Sequence, residues 1–329
     1  MYTVSAPEGL SLDRTGLLEL YYFMMLNRRL EERLGMLYRQ NKVVGGLYSS
    51  LGQEACSVGS GYALERGDFI APMIRNLGAL LVRGVSPRDV MAQYCARAIS
   101  PTRGKDLNLH FGWVDRGLIA PISVVGALIP VMAGVALEMK MKGKKNVALT
   151  YIGDGGMSTT DFHEGMNFAG VHDLPLILIV ENNGFAYSTP TSMQANIPDL
   201  AVRAPGYGAY GEVVDGNNVL AMLDAVRRAR QRCLDGGGPV MIEAKTFRRK
   251  GHAEHDDAGY VPRELRAEWE KKDPIDAYRR HLLAHGVVTS DTEIEDIDSR
   301  IVAILEDAAN EALAAPFPDP SIARENVYG

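Results

Sequence analysis

The sequence predicts an α/β fold: a doubly wound, mostly parallel sheet flanked by helices. Three observations predict it. "NVALTYI" and "LPLILIV" are short, apolar, β-branched runs of the kind that form strands buried on both faces. The stretch between them, "TTDFHEGMNFAGVH", has helical spacing. The alternation then continues through "YGEVVDGNN", a helix near Val219 to Cys233, and "PVMIEAKTF". Strand, helix and strand make a βαβ unit, whose right-handed crossover brings both strands out on one edge of the sheet.

The remaining elements follow in order. From about Leu17 to Gln40 apolar residues recur at helical spacing, with Asp13 or Thr15 available as the cap. "VVGGLYSSLGQEACSVGSGYAL" passes from a glycine-rich turn into a second helix. In "SVVGALIPVMAGVALEMKMKG", Gly126, Ala133 and Gly134 would let a helix approach its neighbour closely, and an alpha-to-alpha subunit contact is expected there. Beyond Arg263 the chain is helical and charged, with Ile294, Ile297, Ile301, Leu305 and Ala308 on one apolar face. At 329 residues the chain could hold two average domains or one large one. No repeat, low-complexity tract or linker divides it. One domain over residues 1–329 is therefore expected, with helical extensions at about 11–42 and 263–329.

Hydrophobic residues at 46% and charged residues at 23% are ordinary globular composition, which excludes collagen-like and disordered classes. A net charge of -6 argues against nucleic-acid or anionic-membrane partners. The arginines of "RRARQR" read as a solvated helix face. Cys56, Cys95 and Cys233 are isolated, as packing thiols in a reducing compartment would be. "LLELYYFMMLN" carries Glu19 and is too short to span a bilayer, and no secretory signal opens the chain. A cytoplasmic location is expected.

The chemistry gathers in "TYIGDGGMSTTDFH". Ligands of open parallel sheets bind beyond the carboxyl ends of the strands. Asp154 follows one strand there, and Glu181, Asn182 and Asn183 follow the next, with Asn183 at 183 − 154 = 29 positions from Asp154. Carboxylate and amide oxygens are hard ligands suited to magnesium. Glycines at 153, 155 and 156, with a helix starting near Ser158, would turn backbone N–H groups toward an anion. A magnesium diphosphate site is one reading; a glycine turn with a helix-capping acid is the other, and "ENNG" on the next strand favours the first. The third glycine of a dinucleotide fingerprint is missing at Met157 and Ser158, which disfavours NAD.

These residues resemble the thiamine diphosphate motif, "GDG" followed by "NN". More narrowly, "GDGGMSTTDFHEGMNFAGVHDLPLILIVENNGFAYSTP" is similar to the alpha subunit of the decarboxylating component of 2-oxo acid dehydrogenase complexes. This is the pyruvate, branched-chain and acetoin family. The likeness runs from about Leu17 to Pro320 and includes "LGQEACSVGSGYAL", "RGKDLNLHF", "GALIPVMAGVALEMK", "RRKGHAEHDD" and "PFPDP".

The resemblance implies that Asp154 and Asn183 bind Mg2+ through side chains and Phe185 through its carbonyl, while Gly155 and Gly156 line the diphosphate. It makes Arg75 and Arg248 phosphate-binding arginines and His252 the active-site histidine, and it gives the aminopyrimidine to backbone atoms of Ser123 and Val125. It further implies a beta subunit that supplies the activating glutamate, a heterotetramer of two alpha and two beta chains, a 2-oxo acid substrate, and a transacylase whose lipoyl groups receive the acyl group.

Four departures stand out. Ile74 replaces a family tyrosine, Leu77 replaces the histidine common in pyruvate and acetoin enzymes, and Tyr48 replaces the histidine before "GQEA". Ala253 replaces the serine that animal relatives phosphorylate. "DLNLHFG" and Ser123 look like the branched-chain branch, while Glu181 and "GDG" look like the pyruvate branch. The resulting expectation is a branched-chain or related bulky 2-oxo acid, with pyruvate or acetoin as the alternatives. Competing expectations are a stand-alone acyloin-forming thiamine enzyme, a catalytically silent homologue, and a metal-dependent hydrolase built on His252, His255, Asp256 and Asp257.

Overall fold

A computed structural model describes residues 2–325. The first helix, α1 (Arg14–Arg39), is capped by Asp13, whose Oδ1 accepts from Gly16 N at 2.8 Å. Of the two candidate caps, Asp13 serves. Next come α2 (Glu54–Tyr62), β1 (Phe69–Ala71), α3 (Leu77–Val82) and α4 (Pro87–Tyr94). The small-residue helix is α5 (Leu128–Met141), leading to β2 (Ala148–Gly153), α6 (Thr160–Val171) and β3 (Leu176–Asn182). A two-residue hairpin pair follows, β4 (Phe185–Ala186) against β5 (Thr189–Pro190). Then come β6 (Tyr210–Asp215), α7 (Val219–Leu234) and β7 (Val240–Lys245), and finally α8 (Arg263–Glu270), α9 (Pro274–Ala284) and α10 (Asp291–Ala314). The last four residues of the expected helical C-terminal extension, 326–329, lie outside the described residues.

Five strands pair in the order β1-β2-β3-β7-β6, all parallel. Alternation along each strand splits the core in two. Leu149, Tyr151, Ile177, Ile179 and Ile242 face the layer of α2 and α7, backed by α1, α9 and α10. Ala148, Ile152, Leu176, Leu178 and Val180 face α5 and α6. Both faces are covered, which is why these strands read as continuous apolar runs.

One boundary needs correction, and one glycine faces outward. The helix after the glycine turn does not start near Ser158: Asp154–Ser158 is a 3-10 turn, and α6 starts at Thr160, where Thr159 Oγ1 caps Phe162 N. Gly134 does not admit a neighbour within the chain, since nothing lies within 4 Å of where its Cβ would stand. The close approach of α5 and α6 is made by Gly165, whose Cβ would meet Ile129 Cγ2 at 2.7 Å.

Candidate active site

Parallel register builds the site. Gly153 on β2 pairs with Glu181 on β3, so the next residues, Asp154 and the two asparagines, leave the sheet side by side. Asp154 is buried, and its Oδ2 accepts from Thr191 Oγ1 at 2.8 Å and Gln194 Nε2 at 2.9 Å. Burial raises its carboxyl above the usual carboxylate range, against those two bonds and the attraction of Arg248. Asn183 is buried as well; its Nδ2 donates to Gln53 Oε1 at 3.2 Å, and its Oδ1 accepts from Phe185 N at 3.4 Å. Asn182 donates from Nδ2 to Glu243 Oε1 at 2.8 Å, and its Oδ1 is 3.1 Å from Thr191 Oγ1.

Gly155 lies against the hairpin: a Cβ there would meet Ala186 Cβ at 2.4 Å. Gly156 is covered by Val125, whose Cγ1 would be 2.7 Å from an added Cβ. Val125 thus borders the glycine turn, while Ser123 is exposed, its Oγ 3.1 Å from His110 Nε2.

Arg75 and Arg248 are 7% and 3% exposed. Arg75 donates to Ser49 O at 3.2 Å and His252 O at 2.5 Å, with Nη2 3.1 Å from His252 Nδ1. Arg248 donates to Phe185 O at 3.2 Å, Tyr187 O at 2.6 Å and Tyr260 Oη at 2.7 Å. Among the described residues neither forms an ion pair with a carboxylate. Burial, then the charge of Arg248, brings Arg75 down to about 10. Three effects act on His252: burial, Arg75 and Arg248 lower it to about 4. The imidazole is neutral at pH 7.

The rings of Tyr187 and Tyr48 flank the histidine, with centroids 4.7 and 5.6 Å away. Leu77, by contrast, is buried in the core. The loop after His252 is fixed by Asp256. Burial alone would raise that carboxyl, but bonds from His252 N, Ala258 N and Tyr260 Oη hold it at about 2. Among the described residues no group of three or more His, Cys, Asp or Glu is placed to hold a metal ion, so the hydrolase arrangement on this loop does not form.

The structure thus brings together Asp154, Gly155, Gly156, Asn183, Phe185, Arg248, Arg75, His252 and Val125, while the exposed Ser123 contacts His110 instead. Gln53, Thr191, Gln194 and Tyr187 are the neighbours that sequence reasoning missed. Gln53 lies in the quoted "LGQEA" and the other three in "GFAYSTPTSMQ", but nothing in their spacing distinguishes a site residue from a loop residue.

Fold and site together define an α/β protein with a buried cationic cradle beside a set of oxygen donors at the carboxyl edge of its sheet. The family model described as "Dehydrogenase E1 component" matches residues 22–321, and the chain belongs to that family. It is 36% identical over 324 residues to the 2-oxoisovalerate dehydrogenase subunit alpha of Bacillus subtilis, covering 98% of each chain. It is 33% identical to the alpha subunit of acetoin:2,6-dichlorophenolindophenol oxidoreductase of the same organism, over 98% of this chain and 96% of that one. Against the pyruvate dehydrogenase E1 component subunit alpha of Bacillus cereus the identity is 38%, over 85% and 73%. The family is thiamine diphosphate-dependent, and the chain is an E1 alpha-type oxidoreductase subunit. No helix among the described residues is long and apolar enough to cross a membrane.

Proposed function

We propose that this chain is the alpha subunit of a heterotetramer of two alpha and two beta subunits that oxidatively decarboxylates a 2-oxo acid and passes the acyl group to lipoyl groups of a transacylase. Thiamine diphosphate and Mg2+ are the proposed cofactors, and a branched-chain or related bulky 2-oxo acid is the proposed substrate. One observation carries the reading. The charge of buried Arg248 lowers buried Arg75, neither guanidinium is ion-paired with a carboxylate among the described residues, and a diphosphate would supply the charge that relieves them.

The residues fit the group. Asp154 Oδ1, Asn183 Oδ1 and the Phe185 carbonyl are an all-oxygen set of the kind magnesium takes. Gly155 and Gly156 leave the turn without side chains, and Val125 borders it; the aminopyrimidine is proposed to lie on that side, against backbone atoms of Ser123 and Val125. When bound, thiamine diphosphate would supply a nucleophilic carbon for the oxo group and an electron sink for the pair left behind when carbon dioxide departs.

This chain's residues bind, orient and donate. Arg75 occupies His252 Nδ1 as a donor, so the ring hydrogen sits on Nε2, free to donate a hydrogen bond that orients an oxygen of the reacting acid. Neutral His252 suits that role, because a fixed imidazolium would compete with both arginines. The base that activates the cofactor is proposed to come from the beta subunit. Tyr48 and Tyr187 put aromatic walls beside His252, which supports a substrate with an apolar side chain.

The test is 2-oxo acid oxidation by the complex that co-purifies with this chain, with an artificial electron acceptor, with and without thiamine diphosphate and Mg2+. Cofactor-dependent turnover fastest on branched-chain acids is expected. Turnover confined to pyruvate or acetoin would overturn the substrate, and none with any of these would overturn the reaction.

A further inference from the structure

Each of the two side chains among the proposed metal ligands is gripped by a glutamine, and each glutamine leaves one amide atom unused. Gln53 is 1% exposed; its Oε1 accepts from Asn183 Nδ2, and its buried Nε2 has no partner. Gln194 Nε2 donates to Asp154 Oδ2, and its buried Oε1 has no partner. That oxygen lies over the glycine turn, 3.2 Å from where a Cβ on Gly155 would stand. A buried amide atom without a partner costs about 1–3 kcal/mol, so two at one site mark places where another group belongs.

The geometry points to Gln53 and Gln194 as positioning residues of the metal diphosphate site. This rests on the reading of Asp154 and Asn183 as metal ligands. Gln53, by accepting from Asn183 Nδ2, fixes the orientation of that amide and leaves Oδ1 for the metal. Gln194, with Thr191, holds Asp154 Oδ2 and leaves Oδ1 for the metal. The unused ends face what comes in: Nε2 of Gln53 is a donor for a diphosphate oxygen, and Oε1 of Gln194 is an acceptor for a metal-bound water.

The test uses the purified complex with its beta subunit, Mn2+ in place of Mg2+, and free Mn2+ read by electron paramagnetic resonance at saturating thiamine diphosphate. Gln53→Leu and Gln194→Leu are expected to weaken Mn2+ binding about 10–100-fold, the usual cost of losing a residue that orients a metal ligand. Gln53→Glu keeps an acceptor for Asn183 and loses the free donor. It is expected to restore Mn2+ affinity while weakening thiamine diphosphate binding at saturating Mn2+, a split that general damage to the fold would not produce. If both leucine variants bind Mn2+ like the parent while Asp154→Ala does not, the glutamine assignment is wrong and the metal site stands. If Asp154→Ala also binds normally, the metal reading itself fails and takes the inference with it.

Discussion

His252 owes its low basicity to burial and to the charges of Arg75 and Arg248, and this sets how it responds to acid. Its folded pKa of about 4 lies below the ordinary 6.5, so between these values the unfolded chain binds more protons and stability rises with pH. Relative to His252→Gln, the parent should therefore lose melting temperature as pH falls from 6.5 to 4. Glu31 acts in the opposite sense. Burial lifts it to about 7 in spite of bonds from Ser49 and Ser50, so the folded chain holds the extra proton between 4.5 and 7. Relative to Glu31→Gln, the parent should lose stability as pH rises through that window. Melting curves of the three chains across pH 4 to 8 check both signs. On activity, removal of His252 should lower turnover about 10²–10⁴-fold if it handles a proton in the reaction. Equal turnover by His252→Ala would exclude that role.

The turn from β2 to α6 shows what a sequence pattern carries and where it stops. Both strands were legible because β-branched runs flanked by turn residues admit few other structures, and their shared edge followed from crossover handedness. The five-residue 3-10 turn was not legible, because glycine and serine permit it without demanding it. The helix start therefore moved to Thr160, where Thr159 can cap. The convergence of Asp154 and Asn183 could be inferred from topology, but the grip of Thr191 and Gln194 on Asp154 could not, because it depends on how the short hairpin folds back. Two glycines make contrasting predictions. Gly155→Ala drives a Cβ against Ala186 and should cost about 1–3 kcal/mol by denaturant unfolding, as overpacking does. Gly134→Ala meets nothing within 4 Å in the middle of α5 and should stabilise the isolated chain by about 0.4–1 kcal/mol. Destabilisation by Gly134→Ala in the assembled complex alone would place a partner on that face.

Over the whole molecule, long-range ion pairs tie the helical ends to the site. Arg28 on α1 bridges Glu54 on α2 and Asp273 ahead of α9, and Arg249, next to Arg248, reaches the same Asp273 at 2.5 Å. The N-terminal and C-terminal helices thus brace the strand end that carries a cradle arginine. A mixture of this chain, thiamine diphosphate and Mg2+ is expected to show no 2-oxo acid turnover until the beta subunit is added. Turnover by the chain alone would refute the heterotetramer. The two buried arginines, neither ion-paired among the described residues, have a further outcome. Charge held apart without an anion is free energy that the empty chain carries and the loaded chain sheds, so a ligand at a hundredfold excess over its Kd adds about 2.7 kcal/mol of stability. When opening is fast relative to cleavage, proteases follow the open population. If the proposed cofactor binds there, the loaded chain is expected to resist limited proteolysis longer than the empty one, and equal cleavage rates would count against that site.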